Sequence, residues 1–420
     1  MDVSIETFGC ATNQADSERI MGLLAGHGFS VGEGGDVVVV NTCTVKTPTE
    51  NKIRKRLREL EALGRRVVVA GCMPAADSSL PDEFGGFSFI GTNVADVVAA
   101  VEAAGSGARY VNISGGGEKL CMPKVRVNPA VEIIPILEGC LGSCTYCIVK
   151  KARGTLRSYP QEAILERVRK AVSEGAREIW LTSQDNGAYG LDTGSSLPKL
   201  LAAVAEIEGE FRVRVGMANP NHVQAALDEL LEAFGDERIY KFLHVPVQSG
   251  NDRVLGDMGR TYSVADFREV AAAFRRKYDA TISTDVIAGY PTEDERAFQD
   301  TVSLIREVEP DVLNVSRFWP RTGTKAAELP GFPGRETKRR SRILNQVFEE
   351  TGLKRNKKWV GWIGEALVSE RNPDGTYTAR NSHYKPIVIT ADDNVFGKFI
   401  NVEVTEATNF DLRGRVSWRS

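Results

Sequence analysis

The stretch that decides the fold is Glu138-Gly139-Cys140-Leu141-Gly142-Ser143-Cys144-Thr145-Tyr146-Cys147, three cysteines spaced C-x3-C-x2-C. It begins where the apolar run Ile133 to Leu137 stops, a pattern that predicts a strand running into a loop. Gly139 and Gly142 free that loop to fold around a bound object. Three thiolates from one loop can hold three irons of a [4Fe–4S] cube and leave the fourth iron open. Zinc competes with this reading, but a structural zinc takes four ligands, usually as two C-x2-C pairs. The chain has no second such pair, and none of its four histidines lies nearby in sequence. A chance trio of core cysteines also stays open.

Working outward, residues 130–340 repeat a strand–helix rhythm. Ile133–Leu137, Ile179–Thr182, Phe211–Val215, Phe242–Val247, Thr281–Ile287 and Val312–Val315 read as strands. Helical stretches such as Pro160–Glu174, Leu197–Ile207 and Val264–Lys277 lie between them. Six β/α units suit a barrel or partial barrel with its chemistry at the carboxyl ends of the strands.

Residues 1–105 alternate in the same way. Val3–Phe8, Asp36–Asn41 and Arg66–Ala70 read as strands, with helices at Asn13–Ala25 and Pro48–Leu63. Unbroken β-branched runs predict a parallel sheet covered on both faces. Cys10, Cys43 and Cys72 each follow one of these strands. Strand carboxyl ends line up along one edge of a parallel sheet, so this topology would gather the three in one crevice. Three separately buried cysteines are the plainer alternative.

Beyond residue 359 the character changes. Trp362–Ser369, Thr376–Ala379, Pro386–Thr390 and Phe399–Val404 read as short strands separated by turn signals, which predicts a small antiparallel β-barrel. A basic stretch precedes it, so this unit is expected to be separable. The expected fold is thus α/β, with an N-terminal parallel-sheet domain over 1–110, a linker over 111–129, a central domain over 130–350 and a C-terminal barrel over 355–420.

The 420 residues suit two or three domains. A net charge of −3 excludes a global basic field, so any nucleic-acid contact must come from local patches. No apolar run reaches membrane-spanning length, and the first residues have no basic flank before an apolar stretch. A cytoplasmic chain is expected. Reduced cysteines fit that compartment, and seven is an odd number for disulfides.

The C-x3-C-x2-C motif with an aromatic before its third cysteine resembles the radical-SAM signature. Two three-cysteine sets narrow the resemblance to methylthiotransferases. Val245-Pro246-Val247-Gln248-Ser249-Gly250, Met258-Gly259-Arg260-Thr261-Tyr262 and Thr284-Asp285-Val286-Ile287-Ala288-Gly289-Tyr290-Pro291 support it. Thr292 departs from the family pattern, where a Gly before Glu293 is common. Asn41-Thr42-Cys43-Thr44-Val45-Lys46 and the Ala152-Arg153-Gly154 segment are most similar to the archaeal and eukaryotic branch acting on N6-threonylcarbamoyladenosine (t6A). Other branches act on isopentenylated adenosine in tRNA or on a ribosomal-protein aspartate.

The resemblance implies a radical-SAM partial (β/α)6 barrel and a C-terminal TRAM barrel that grips RNA. It implies two [4Fe–4S] clusters, one on Cys10, Cys43 and Cys72 and one on Cys140, Cys144 and Cys147, with S-adenosyl-L-methionine (SAM) at the second. Tyr146 would pack near the SAM adenine, and Gln248 and Arg260 are candidate SAM contacts. No general acid or base is assigned, and Cys121 matches no ligand position. The reaction implied is insertion of sulfur and a methyl group at C2 of t6A, at adenosine 37 in the tRNA anticodon stem-loop, with an electron donor of unknown identity. The rival from another class is a non-catalytic RNA-binding protein with structural metal sites.

Basic residues give RNA a separate, local support. Lys52, Arg54, Lys55, Arg56 and Arg58 crowd one helix, and Lys150, Lys151, Arg153 and Arg157 flank the cysteine loop. Lys338, Arg339, Arg340, Arg342, Lys354, Arg355, Lys357 and Lys358 precede the last domain. Phe318 and Trp319 are candidates for stacking on a base.

Overall fold

The computed structural model describes residues 1–417 apart from 114, 116, 392 and 393. Strands β1 (Asp2–Thr7), β2 (Ser30–Val31), β3 (Val37–Thr42), β4 (Arg66–Gly71) and β5 (Ser88–Gly91) form one parallel sheet in the order β2-β1-β3-β4-β5. The run Val37 to Val40 is buried on both sides, as its unbroken apolar character requires. Val37 and Val39 pack with the helices Ala11–Gly26 and Val97–Gly105, while Val38 and Val40 pack with the helix Thr47–Ala62. The short strands β2 and β5 carry too little periodicity to be read from sequence.

The segment after this domain does not hang free. It crosses the helix Ala11–Gly26 at Gly22, where an added Cβ would stand 2.4 Å from the backbone of Pro123 and Lys124. The amide of Val125 donates to the carbonyl of Glu18 at 2.9 Å. Lys124 pairs with Glu18 and Glu132, each at 2.8 Å, all three side chains being buried. The connection therefore ties the first domain to the first strand of the second.

That second domain contributes β6 (Val131–Pro135), β7 (Glu178–Thr182), β8 (Arg212–Val215), β9 (Phe242–His244), β10 (Thr281–Ala288) and β11 (Val312–Arg317). They form two parallel three-stranded sheets, β8-β7-β6 and β9-β10-β11. A parallel bridge between Val213 and Ile239 joins them into a partial barrel. The expected strand Phe242–Val247 stops at His244. Pro246 has no N–H for the ladder, which resumes only as an isolated bridge from Gln248, at φ +68°, to Val286.

The C-terminal unit is a closed barrel of β12 (Ile363–Arg371), β13 (Tyr377–Asn381), β14 (Pro386–Thr390), β15 (Phe399–Ala407) and β16 (Leu412–Val416), in the order β12-β13-β14-β16-β15. It is antiparallel except for the pair β14 and β16, which run parallel. This unit is docked on the second domain. Lys385 pairs with buried Asp311 at 2.8 Å, and the Tyr384 ring packs on Tyr240 and Phe242 with centroids 4.8 and 4.9 Å apart. The barrel thus plugs the second domain, and the basic stretch before it is the helix Gly334–Lys357, with Arg340 and Arg355 buried.

Candidate active site

The three carboxyl ends β1, β3 and β4 are neighbours in the sheet, and Cys10, Cys43 and Cys72 follow them. Asn13 knits these ends together. Its side-chain amide donates to the carbonyls of Phe8 and Thr42, both at 2.8 Å, and its oxygen accepts from Arg153 at 2.8 Å. The Cys72 thiol lies 3.7 Å from the same oxygen. Thr42 Oγ donates to Ala70 O at 2.6 Å and accepts from the Met73 amide at 3.2 Å. Gly71, at φ +91°, is required here: a Cβ would meet the Thr42 carbonyl at 2.3 Å. Cys10 is exposed, whereas Cys43 and Cys72 are buried.

Burial pushes the Cys43 thiol up to about 11, with negative charge on Cys72 and Cys10 adding to the shift. Burial likewise pushes Cys72 up. Two such buried thiols do not both ionise readily unless a cationic centre joins them, which is how thiolate ligation works.

The second trio lies on the loop after β6. The Gly142 amide donates to Cys140 Sγ at 3.2 Å, and Arg260 donates to Cys144 Sγ at 3.1 Å. A Cβ on Gly142 would stand 3.3 and 3.6 Å from the sulfurs of Cys140 and Cys144, so these two sulfurs converge around the glycine. Lys150 reaches back to the carbonyls of Leu141 and Gly142, both at 3.3 Å, and braces the loop. Burial raises Cys147 to about 11.

Among the described residues, no three His, Cys, Asp or Glu side chains are gathered tightly enough to hold one metal ion. A zinc ion draws its sulfur ligands to about 2.3 Å from a single point. A multinuclear cluster gives each sulfur its own metal, and sets of three thiols suit such a cluster.

The two trios are adjacent. Cys72 packs against Ile148 and Ala152 of the segment that follows Cys147. Arg153 is fully buried there, 2.9 Å from Asp16 and 3.1 Å from Glu138. A cavity of about 310 Å³ opens beside Cys147, lined also by Val45, Lys46, Tyr146, Gln248, Phe318 and Trp319. Of the six cysteines Cys147 alone lines it, and the first trio comes near it through Val45 and Lys46, which follow Cys43. Tyr146 and Gln248 therefore meet in one cavity. Arg260 is not among its lining residues and reaches the cysteine loop instead.

Sequence reasoning missed the continuation of that contact. Arg260 donates to Asn219 at 2.8 Å, Asn219 donates to Asp185 at 2.6 Å, and His222 Nδ1 lies 2.8 Å from Asp185. Asp185 follows β7 and Asn219 follows β8, so their place at strand carboxyl ends was the available signal. Asp285, within β10, is a second carboxylate here, bonded to His244 at 3.0 Å and Asn314 at 2.8 Å. Burial pushes its carboxyl up, but these partners outweigh that and hold it below the usual range.

Several of the expected RNA-binding charges are occupied in the fold. Arg54 pairs with Asp77 and Glu83, Arg56 with Glu6, and Arg58 with Glu83. Arg339 and Arg340 pair with Glu336, and Arg355 with Asp311. Lys151 bonds the Ala76 carbonyl and Arg157 the Gly117 carbonyl.

Three family models match the chain: the uncharacterized protein family UPF0004 over residues 2–85, the Radical SAM superfamily over 134–305 and the TRAM domain over 357–417. The probable threonylcarbamoyladenosine tRNA methylthiotransferases of Pyrococcus abyssi and Archaeoglobus fulgidus are each 43% identical, over 99% of both chains. The Drosophila melanogaster threonylcarbamoyladenosine tRNA methylthiotransferase is 40% identical over 99% of this chain and 77% of its own length. Among solved structures, the radical S-adenosylmethionine methyltransferase TsrM from Kitasatospora setae aligns with a TM-score of 0.56 at 14% identity. That alignment covers 78% of this chain and 74% of the other, and it speaks to the fold alone. With near-complete coverage by relatives of one name, the chain belongs to the threonylcarbamoyladenosine tRNA methylthiotransferase family.

Proposed function

We propose that Cys10, Cys43 and Cys72 hold one [4Fe–4S] cluster and Cys140, Cys144 and Cys147 a second, and that the cavity beside Cys147 receives the target base. The enzyme is a radical-SAM methylthiotransferase that converts t6A in tRNA to its 2-methylthio derivative. The observation that carries the ligand assignment is the adjacency of two all-thiol trios, Cys72 packing against the segment that follows Cys147. When bound, the cluster of the second trio with SAM supplies a hydrogen-abstracting radical, and that of the first supplies sulfur.

The chain's own residues position and enclose these reactants. Arg260 fixes Cys144 and is itself held through Asn219 and Asp185. Arg153 locks the two loops at a fixed separation by pairing across the domain boundary. Tyr146 and Gln248 face the cavity, where an adenine ring can stack and hydrogen-bond, and Phe318 and Trp319 offer further aromatic faces. The C-terminal barrel is the RNA grip, and an external one-electron donor completes the system. No described helix is long and apolar enough to cross a membrane, and we assign the chain to the cytoplasm with its substrate.

The test is mass spectrometry of nucleosides from t6A-bearing tRNA incubated anaerobically with reconstituted enzyme, SAM and a reductant. A methylthio derivative of t6A is the expected product. Formation of product only on isopentenylated adenosine would overturn the substrate assignment.

A further inference from the structure

The cavity beside Cys147 carries a charge pattern that an adenine alone does not require. Three cations line it: Lys46, Arg317 and Arg321. Arg321 is spoken for, since it is 7% exposed and paired with Glu50. The one carboxylate among the described lining residues, Asp285, is already bonded to His244 and Asn314. The side chains of Lys46 and Arg317 have no hydrogen-bond or ion-pair partner among the described residues. Arg317 instead lies with its guanidinium 4.7 Å from the Trp319 ring centroid.

These two cations come from different domains. Lys46 follows Cys43 by three residues and caps the helix Thr47–Ala62, while Arg317 ends β11. Topology therefore brings a cation from each domain to this cavity: Lys46 is exposed and helps hold the Asp285 carboxyl down, whereas Arg317 is half-buried. A half-buried, unpaired guanidinium is costly unless a ligand completes it. The threonylcarbamoyl arm on N6 of the substrate base ends in a carboxylate. The isopentenyl arm carries no charge.

We propose that Lys46 and Arg317 bind the carboxylate of the threonylcarbamoyl arm, and that Arg317 makes the enzyme prefer t6A over neutral N6 substituents. This rests on the assignment of t6A as substrate. The guanidinium offers a planar fork that matches a carboxylate, and Trp319 keeps that fork in place from behind. Lys46 adds a point charge from the other domain. The arm is held at its far end, so the adenine it carries is presented toward Tyr146 and Cys147.

The experiment compares two anticodon stem-loop RNAs, one with t6A and one with its carboxamide, which keeps the shape, removes the charge and exchanges one acceptor oxygen for an NH2 donor. Binding is read by fluorescence anisotropy and product by mass spectrometry, using the full reconstituted chain, Arg317→Gln, Arg317→Lys and Lys46→Gln. Wild type should bind the t6A RNA about 10- to 100-fold more tightly than the carboxamide, the range of a charge-assisted hydrogen bond. Arg317→Gln should erase that preference while binding the carboxamide RNA as wild type does, and Arg317→Lys should restore part of it. Lys46→Gln should reduce it. Iron content equal to wild type shows that the variants are folded. Equal binding and turnover of both RNAs by wild type would overturn the carboxylate subsite and leave the t6A assignment standing. Equal weakening of both RNAs by Arg317→Gln would make Arg317 a phosphate contact and also overturn it. Failure of wild type to act on t6A at all would overturn subsite and substrate together.

Discussion

Lys385 Nζ lies 2.8 Å from Asp311 Oδ1, with both side chains buried, and this pair fastens the C-terminal barrel to the strand that ends in Arg317. Arg355 and Arg275 also reach Asp311, at 3.1 and 3.2 Å. One carboxylate thus joins β11, the helix Gly334–Lys357 and the helix Val264–Tyr278 to the RNA-binding barrel.

Asp311→Ala should destabilise the protein by about 3–5 kcal/mol, because it leaves three buried cations around a missing charge. Lys385→Met should cost less, since Arg355 and Arg275 still neutralise Asp311. Urea denaturation of the metal-free chain measures both. Limited proteolysis near residue 360 should show the barrel released first in the Asp311 variant.

Acid should weaken the same junction in a defined window. Burial pushes the Asp311 carboxyl up, but Lys385, Arg355 and Arg275 outweigh it and hold it at about 2. An unfolded aspartate titrates near about 3.9. The folded value is the lower one, so the stabilisation is fully present above about pH 4 and is lost as pH falls through about 2. The loss should amount to about 2–3 kcal/mol. Unfolding free energies of the metal-free protein across that range should show this drop in wild type, with Asp311→Asn lacking it.

The two cysteine trios should be separable in function. Cys140, Cys144 and Cys147 replaced together by Ala should remove about half of the iron and sulfide and all SAM cleavage. Cys10, Cys43 and Cys72 replaced together should leave reductive SAM cleavage intact and abolish methylthiolated product. Iron and sulfide assays with product chromatography check both. Normal product from the second variant would remove the sulfur-delivery role.

Salt dependence should distinguish free from structural cations. Lys338, Arg342, Lys357 and Lys358 are exposed, whereas Arg340 and Arg355 are buried in ion pairs. Replacing the first four by Gln should flatten the slope of log affinity against log salt, by about 0.7–0.9 for each lost phosphate contact. Arg340→Gln should instead lower stability by about 3–5 kcal/mol, through the buried partner Glu293 at 2.8 Å. Anisotropy titrations with tRNA at several salt concentrations, alongside urea melts, separate the two effects.

The run Val37 to Val40 and the spacing of Cys140, Cys144 and Cys147 specified a two-sided parallel sheet and a cluster loop without reference to anything distant in the chain. Strand-end placement extended that logic to Cys10, Cys43 and Cys72, because a parallel sheet aligns its carboxyl ends wherever they fall in sequence. Asp185 obeys the same rule and went unread because a lone acidic residue has no spacing to betray it. The fate of the basic residues was decided only by tertiary structure. Arg56, Arg340 and Arg355 look the same in sequence as Lys338 or Lys358, and packing alone sets which of them meets a carboxylate. Asp311 and Lys385, 74 positions apart, and Lys46 and Arg317, from different domains, are brought together by domain docking. Local pattern encodes periodicity and ligand spacing; pairing across domains depends on how whole surfaces fit, and no short stretch of sequence carries that information.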